Sequence, residues 1–266
     1  MKKLFLMMAA AAFVFAACEP KTPDNPSGPD NPDNPSGPEE PEEYVCPITI
    51  DGNFDDWGKI DASLVASAKN NPESPWDAVK QMRVYADPDF ICYYIEFDNN
   101  QIGDLLESAT GTYVNSDGEN SPNAINMRIN VNTDGEFESG YTNYSLQGYD
   151  FIMEGTLAQD GKWDTFADAT MYQRIGSWKV LMEPGLGLTM GAGNGNKFEI
   201  MVSRELFNNA AAGSDDPKPM GDIFQTGLRF YGVQWTELSN LPNAAIDEDN
   251  TNGWGNLLEV VTYHPE

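Results

Sequence analysis

Histidine is almost missing from this chain. The only one, His264, stands near the C-terminal end. A Ser-His-Asp or Cys-His nucleophilic site would have to be built on a fraying residue, which argues against that chemistry. Cysteine is also scarce, with Cys18, Cys46 and Cys92 the full set. That set with one histidine does not make a zinc site of the usual Cys/His type. Basic residues are few, at 15 against 42 acidic ones, for a formal charge of −27. So acidic a surface repels nucleic acid and anionic head groups. It suits neutral or cationic partners, Ca²⁺ among them. Long apolar runs are lacking beyond Leu4–Phe15, which falls short of the ~20 residues of a membrane-spanning helix. No segment carries a long 3.6-residue apolar period; Ile102–Ser108 is the best helix candidate and is short.

What is present begins with an export signal. Lys2 and Lys3 precede the apolar run, and Phe15-Ala16-Ala17-Cys18 resembles a bacterial lipobox. Residues 1–17 are therefore expected to be a lipoprotein signal peptide, cleaved before a lipidated Cys18. Acyl chains at ~0.8 kcal/mol per buried CH₂ would hold the protein on a membrane. Residues 18–47 read as a disordered spacer. Asp-Asn-Pro-Ser-Gly-Pro occurs at Asp24–Pro29 and again at Asp33–Pro38, and proline with acidic residues keeps such a chain extended and solvated. The pattern resembles outer-membrane lipoproteins of the Bacteroides group. It implies contact with the membrane only through the anchor and a surface-exposed location, with the periplasmic face as the alternative.

Residues 48–266 read as one β-rich domain, expected to be monomeric. Ile48-Thr49-Ile50 alternates and meets the turn signal Asp51-Gly52. Met82–Asp98 reads as a hairpin with Asp87-Pro88-Asp89 at its tip, Ile91, Tyr93, Ile95 and Phe97 on one face and Cys92, Tyr94 and Glu96 on the other. Further strands are expected at Ile125–Val131, at Tyr149–Gly155 with a break at Gly155, and at Lys197–Ser203 before a helical turn at Arg204–Asn208. Gly227–Trp235 and Leu257–Tyr263 complete the set. Gly185–Gly195 reads as a flexible glycine loop and Asn208–Met220 as a surface loop. Short strands separated by turns predict an all-β antiparallel sandwich of about ten strands, jelly-roll or immunoglobulin-like.

The opening Ile48-Thr49-Ile50-Asp51-Gly52-Asn53-Phe54-Asp55-Asp56-Trp57 resembles the start of carbohydrate-binding module family 9 and its DOMON-like relatives. The hairpin, Val131-Asn132-Thr133-Asp134-Gly135, and the strand and short helix of Phe198–Phe207 follow in the same order. The resemblance implies a sandwich that binds glycan ends or chains, often with structural calcium. DOMON relatives can bind haem, but this chain has no internal histidine to ligate it. Asp51, Gly52, Asp56 and Trp57 also have a folding role open to them, a turn and an indole cap on the core.

Flat aromatic faces cover the C–H faces of sugars, so tryptophans in polar, glycine-rich loops are candidate platforms. These are Trp76, Trp163, Trp178 and Trp254, the last with Asn252 and Asn256 beside it to bond hydroxyls. Trp235 ends a strand and reads as core. Asn132, Asp134 and Asp150 are oxygen donors that could meet at a calcium site, and Asp247-Glu248-Asp249-Asn250 is a second acidic cluster. Cys46 and Cys92 could form a disulfide in an exported domain or remain two buried thiols. Paired carboxylates could support glycoside hydrolysis without histidine, yet no local motif singles out an acid and a nucleophile. The reading is thus a non-catalytic glycan-binding lipoprotein that needs no cofactor, with a protein-interaction envelope lipoprotein and a glycoside-active enzyme as rivals.

Overall fold

The computed structural model describes residues 44–137, 140–141, 148–175, 177–182, 189–212 and 218–265. The signal segment, Cys18 and the spacer to residue 43 lie outside them. The described strands are β1 (Val65–Lys69), β2 (Val79–Ala86), β3 (Phe90–Phe97), β4 (Thr112–Val114), β5 (Asn120–Pro122), β6 (Ala124–Asn132), β7 (Phe151–Gln159) and β8 (Lys162–Trp163), then β9 (Thr170–Ile175), β10 (Ser177–Met182), β11 (Thr189–Asn194), β12 (Lys197–Ser203), β13 (Ile223–Tyr231), β14 (Glu237–Leu241) and β15 (Leu258–Val261). Helices α1 (Ile102–Ser108) and α2 (Arg204–Ala212) connect them.

A five-stranded sheet runs β1-β2-β3-β12-β11, and an eight-stranded sheet runs β10-β9-β7-β6-β13-β14 with β15 on β13 and β8 on β7. The pairings within both sheets are antiparallel. Strand period decides the packing. Ile91, Tyr93, Ile95 and Phe97 of β3 meet Ile125, Met127, Ile129 and Val131 of β6 in one core between the sheets. The all-β antiparallel sandwich expected from the sequence is therefore present.

The five-stranded sheet is covered on its other face too. Cys92 and Tyr94 of β3 and Tyr85 of β2 join Ile48 and Trp57 of the N-terminal segment in a second apolar cluster. Burial on both faces explains why Phe90–Phe97 reads as a nearly unbroken apolar run.

Several local expectations change. β7 passes straight through Gly155; a Cβ there would lie 2.9 Å from the ring of Phe166, so the glycine admits a crossing side chain rather than breaking the strand. Thr189–Asn194, inside the expected glycine loop, is strand β11 paired along its length with β12. The helix after β12 runs on to Ala212. The compact unit starts at Tyr44, ahead of the expected boundary at residue 48.

Candidate functional site

The opening motif serves the fold. Glu199 of β12 is fully buried, and its Oε1 accepts from the amides of Asp51 (3.1 Å) and Gly52 (2.9 Å). Its Oε2 accepts from the Trp57 indole N–H at 3.0 Å. Burial pushes the Glu199 carboxyl above its ordinary range, against these bonds. Arg83 lies over the Trp57 ring and donates to the Trp57 carbonyl. The sequence gives Trp57 a capping role but does not point to Glu199, whose partners are distant in the chain.

Cys46 and Cys92 are both free thiols. Cys92 is buried on β3, and Cys46 packs on the same cluster. Hydrogen bonding to Cys46, with burial, raises the Cys92 thiol well above its ordinary value.

Three of the candidate platform tryptophans, Trp76, Trp163 and Trp254, have described side chains. Trp254 is only 8% exposed, which corrects its assignment as an open platform. Its N–H donates to Glu237 (3.0 Å), and the Arg229 guanidinium lies 3.1 Å from its ring centroid. Trp76 packs beside it and donates to the Asn252 carbonyl at 2.7 Å. Gly253 has φ +65°, which favours glycine, and a Cβ there would lie 3.2 Å from the Ala244 carbonyl and Trp76 and 3.3 Å from Ile246, so the glycine beside Trp254 sits in tight packing instead of opening it to solvent. Asn252 is half-buried and Asn256 exposed. Trp163 stacks on Phe97 and Phe198 and packs against the core, with its N–H on the Gly195 carbonyl. Trp178 lies in β10, and its side chain is outside the described residues.

The calcium candidates come together at one end of the eight-stranded sheet. Asn132 Oδ1 accepts from the Gly135 amide (2.7 Å), and Asp150 Oδ2 accepts from the Thr133 amide (2.7 Å) and hydroxyl (2.9 Å). Asp134 is ion-paired with Lys218. Among the described residues no group of at least three acidic, cysteine or histidine side chains is arranged to hold a metal. These oxygens serve protein donors, and calcium would have to displace the Lys218 ammonium to reach Asp134. Asp247 closes its own turn, accepting from the Asp249 and Asn250 amides.

The exposed aromatic site lies elsewhere. Trp235, expected in the core, is 43% exposed and stands in the turn that follows β13. Gln234 (φ 59°) and Trp235 (φ 61°) are consecutive non-glycine residues in the left-handed region. That backbone is costly for residues with a Cβ, and it points the indole out of the sheet instead of back into it. Tyr231 lies behind it, ring centroids 5.6 Å apart and tilted by 55°. Arg128 of β6 reaches both, its guanidinium carbon 5.0 Å from the Tyr231 ring centre and 5.7 Å from that of Trp235. Glu154 of β7, cross-strand from Arg128, ion-pairs with it and fixes its plane.

The same turn walls a hollow of about 360 Å³. Gly232, Val233, Thr236 and Leu238 form one side, and Gln101, Asp104, Leu105 and Ser108 of α1 the other. An amide, a carboxylate and hydroxyls line this hollow, and Trp235 belongs to the same turn without lining it. The lone histidine takes no part: His264 pairs with Asp222 at the surface. Alternation of Arg229 and Tyr231 against Leu228 and Phe230 marks the outward face of β13 in the sequence. Nothing in the sequence marks the positive φ that turns Trp235 outward.

No protein-family model matches the chain, and no curated protein matches it. No helix among the described residues is long and apolar enough to cross a membrane.

Proposed function

We propose that the domain is a non-catalytic glycan-binding module, carried on an exported lipoprotein anchored through Cys18. The observation that carries this reading is Trp235: an indole 43% exposed in a turn with two left-handed residues, packed at a tilt against Tyr231 and backed by Arg128. Strain of this kind costs on the order of 1–3 kcal/mol per residue and persists where the surroundings hold it. An apolar ring face placed beside hydrogen-bonding groups is what a sugar requires. The hollow walled by other residues of the same turn falls in the range of roughly 300–1,000 Å³ common to small-molecule sites. Glu154, the carboxylate of this cluster, is committed to Arg128, which favours binding over acid–base work. The opening motif's likeness to a carbohydrate-binding module agrees with the reading, but that motif acts through the fold.

A pair of variants tests it. Trp235→Ala should weaken binding on a glycan array tenfold or more with little change in melting temperature. Trp254→Ala should instead cost about 3–5 kcal/mol of stability, as truncation of a core aromatic does. Unchanged glycan affinity in Trp235→Ala, or a large loss of its stability, would overturn the assignment.

A further inference from the structure

We propose that Cys46 and Cys92 are an oxidisable dithiol, closed by an external disulfide into an intramolecular bond that fastens the start of the domain to its five-stranded sheet. The inference does not depend on glycan binding.

Cys92 has no exposed surface and sits mid-strand in β3, on the sheet face covered by the N-terminal segment. Cys46 is half-buried and packs against the same cluster. The chain is pinned on both sides of Cys46. Before it, the Tyr44 hydroxyl contacts the Tyr85 hydroxyl at 2.7 Å and donates to Asp87 Oδ2 at 2.9 Å. After it, Ile48 is 3% exposed within the cluster. Cys46 therefore stays in the native state within the cluster that holds Cys92. Part of Cys46 is open to solvent, which gives a reagent access that Cys92 lacks.

Burial decides the order of steps. The accessible Cys46 loses its proton and attacks one sulfur of an external disulfide, either a disulfide oxidoreductase or oxidised glutathione. One S–S bond breaks, a mixed disulfide forms, and a thiolate leaves with the displaced electron pair. Cys92 then gives up its proton and attacks the Cys46 sulfur, expelling the second thiolate. The protons from the two cysteines end on the two released thiols. The two electrons lost by the cysteines reduce the external disulfide. Cys92, shielded from reagents, takes the resolving role.

The test is thiol mapping on the full-length protein, exported and purified without reductant. After denaturation and alkylation, the Cys46 and Cys92 peptides should be found joined and unlabelled, and both should label once reduced. A bond that closes so long a stretch of chain constrains the unfolded state. Reductant should therefore lower the melting temperature by roughly 5–10 °C. Cys46→Ser should melt where the reduced protein melts and ignore reductant. The mapping uses the wild-type chain, so it stands even if the variant folds badly. Full labelling of both cysteines without reduction, persisting after the folded protein is incubated with oxidised glutathione, would overturn the proposal.

Discussion

At Glu199 one buried carboxylate gathers two amide hydrogens and an indole hydrogen from a segment as many as 148 positions away. Glutamine in its place would offer one acceptor and an N–H₂ group. Either the indole or the two amides would then face a donor. Glu199→Gln should cost about 1–3 kcal/mol, the penalty of leaving buried donors unpaired, read by chemical denaturation. The cost should also depend on pH. Burial holds the folded carboxyl above its ordinary value of 4.5. The native state then takes up the proton before the unfolded chain does, so this group's stabilising contribution is full below about 4.5 and lost as pH rises through the folded value. The wild type gains from protonation and the glutamine variant does not. The variant's deficit should therefore be larger at pH 5 than at pH 7. A deficit that shrinks on acidification would show that the carboxyl is not raised. The tryptophans show what stays hidden at this scale. Glycines beside Trp254 suggest openness in the sequence, yet Gly253 takes a left-handed φ in a tight place beside Trp76 and Ile246. Trp235 follows an alternating strand and looks buried, yet two left-handed residues turn it out.

Among the elements, β11 departs furthest from its sequence. Glycine-rich Thr189–Asn194 lacks the branched residues that mark strands, and β-propensity disfavours it. It is a strand because β12 offers a full ladder beside it and because Trp163 and Phe198 need the space above it. A Cβ on Gly193 would stand 2.2 Å from the Trp163 ring. Gly193→Ala should thus force Trp163 off Phe97 and Phe198, with an overpacking cost of about 1–3 kcal/mol and a change in tryptophan fluorescence. An alanine variant with native stability and spectrum would show that Trp163 yields freely. The elements with strict alternation were legible: the β2–β3 hairpin, β6 and β12 lie where the pattern puts them, and the short apolar patch Ile102–Ser108 is helix α1. Alternation carries no information about strands whose inward side chains are small. The short strands β4, β5 and β8 are too brief for any period to register.

For the molecule as a whole, the fold class followed from short alternating strands and turn residues. The sheet order did not, because pairings such as β3 with β12 join segments far apart in the chain. The N-terminal boundary is the instructive miss. Tyr44 and Cys46 lie next to proline-rich, acidic sequence and read as spacer, but their partners Tyr85, Asp87 and Cys92 are tertiary. A chain that begins at Tyr44 should therefore keep the melting temperature of the longer protein. One that begins at Ile48 should melt several degrees lower, through loss of the Tyr44 hydrogen bonds. Equal melting of the two would return residues 44–47 to the spacer.

Both ends of the described domain are fastened to one hairpin. Tyr44 bonds Asp87 at the β2–β3 turn, while the Tyr263 amide bonds the Ala86 carbonyl at 2.8 Å and its ring lies beside Tyr85. From Tyr263 the chain runs back into β15, which pairs with β13 from Ile223↔Val261 to Thr226↔Leu258, and β13 ends at the Trp235 turn. Tension arriving along the chain ahead of Tyr44 would thus meet the Tyr44 hydrogen bonds to Tyr85 and Asp87 before any strand pairing, and the turn that resists it is the one that also holds Tyr263.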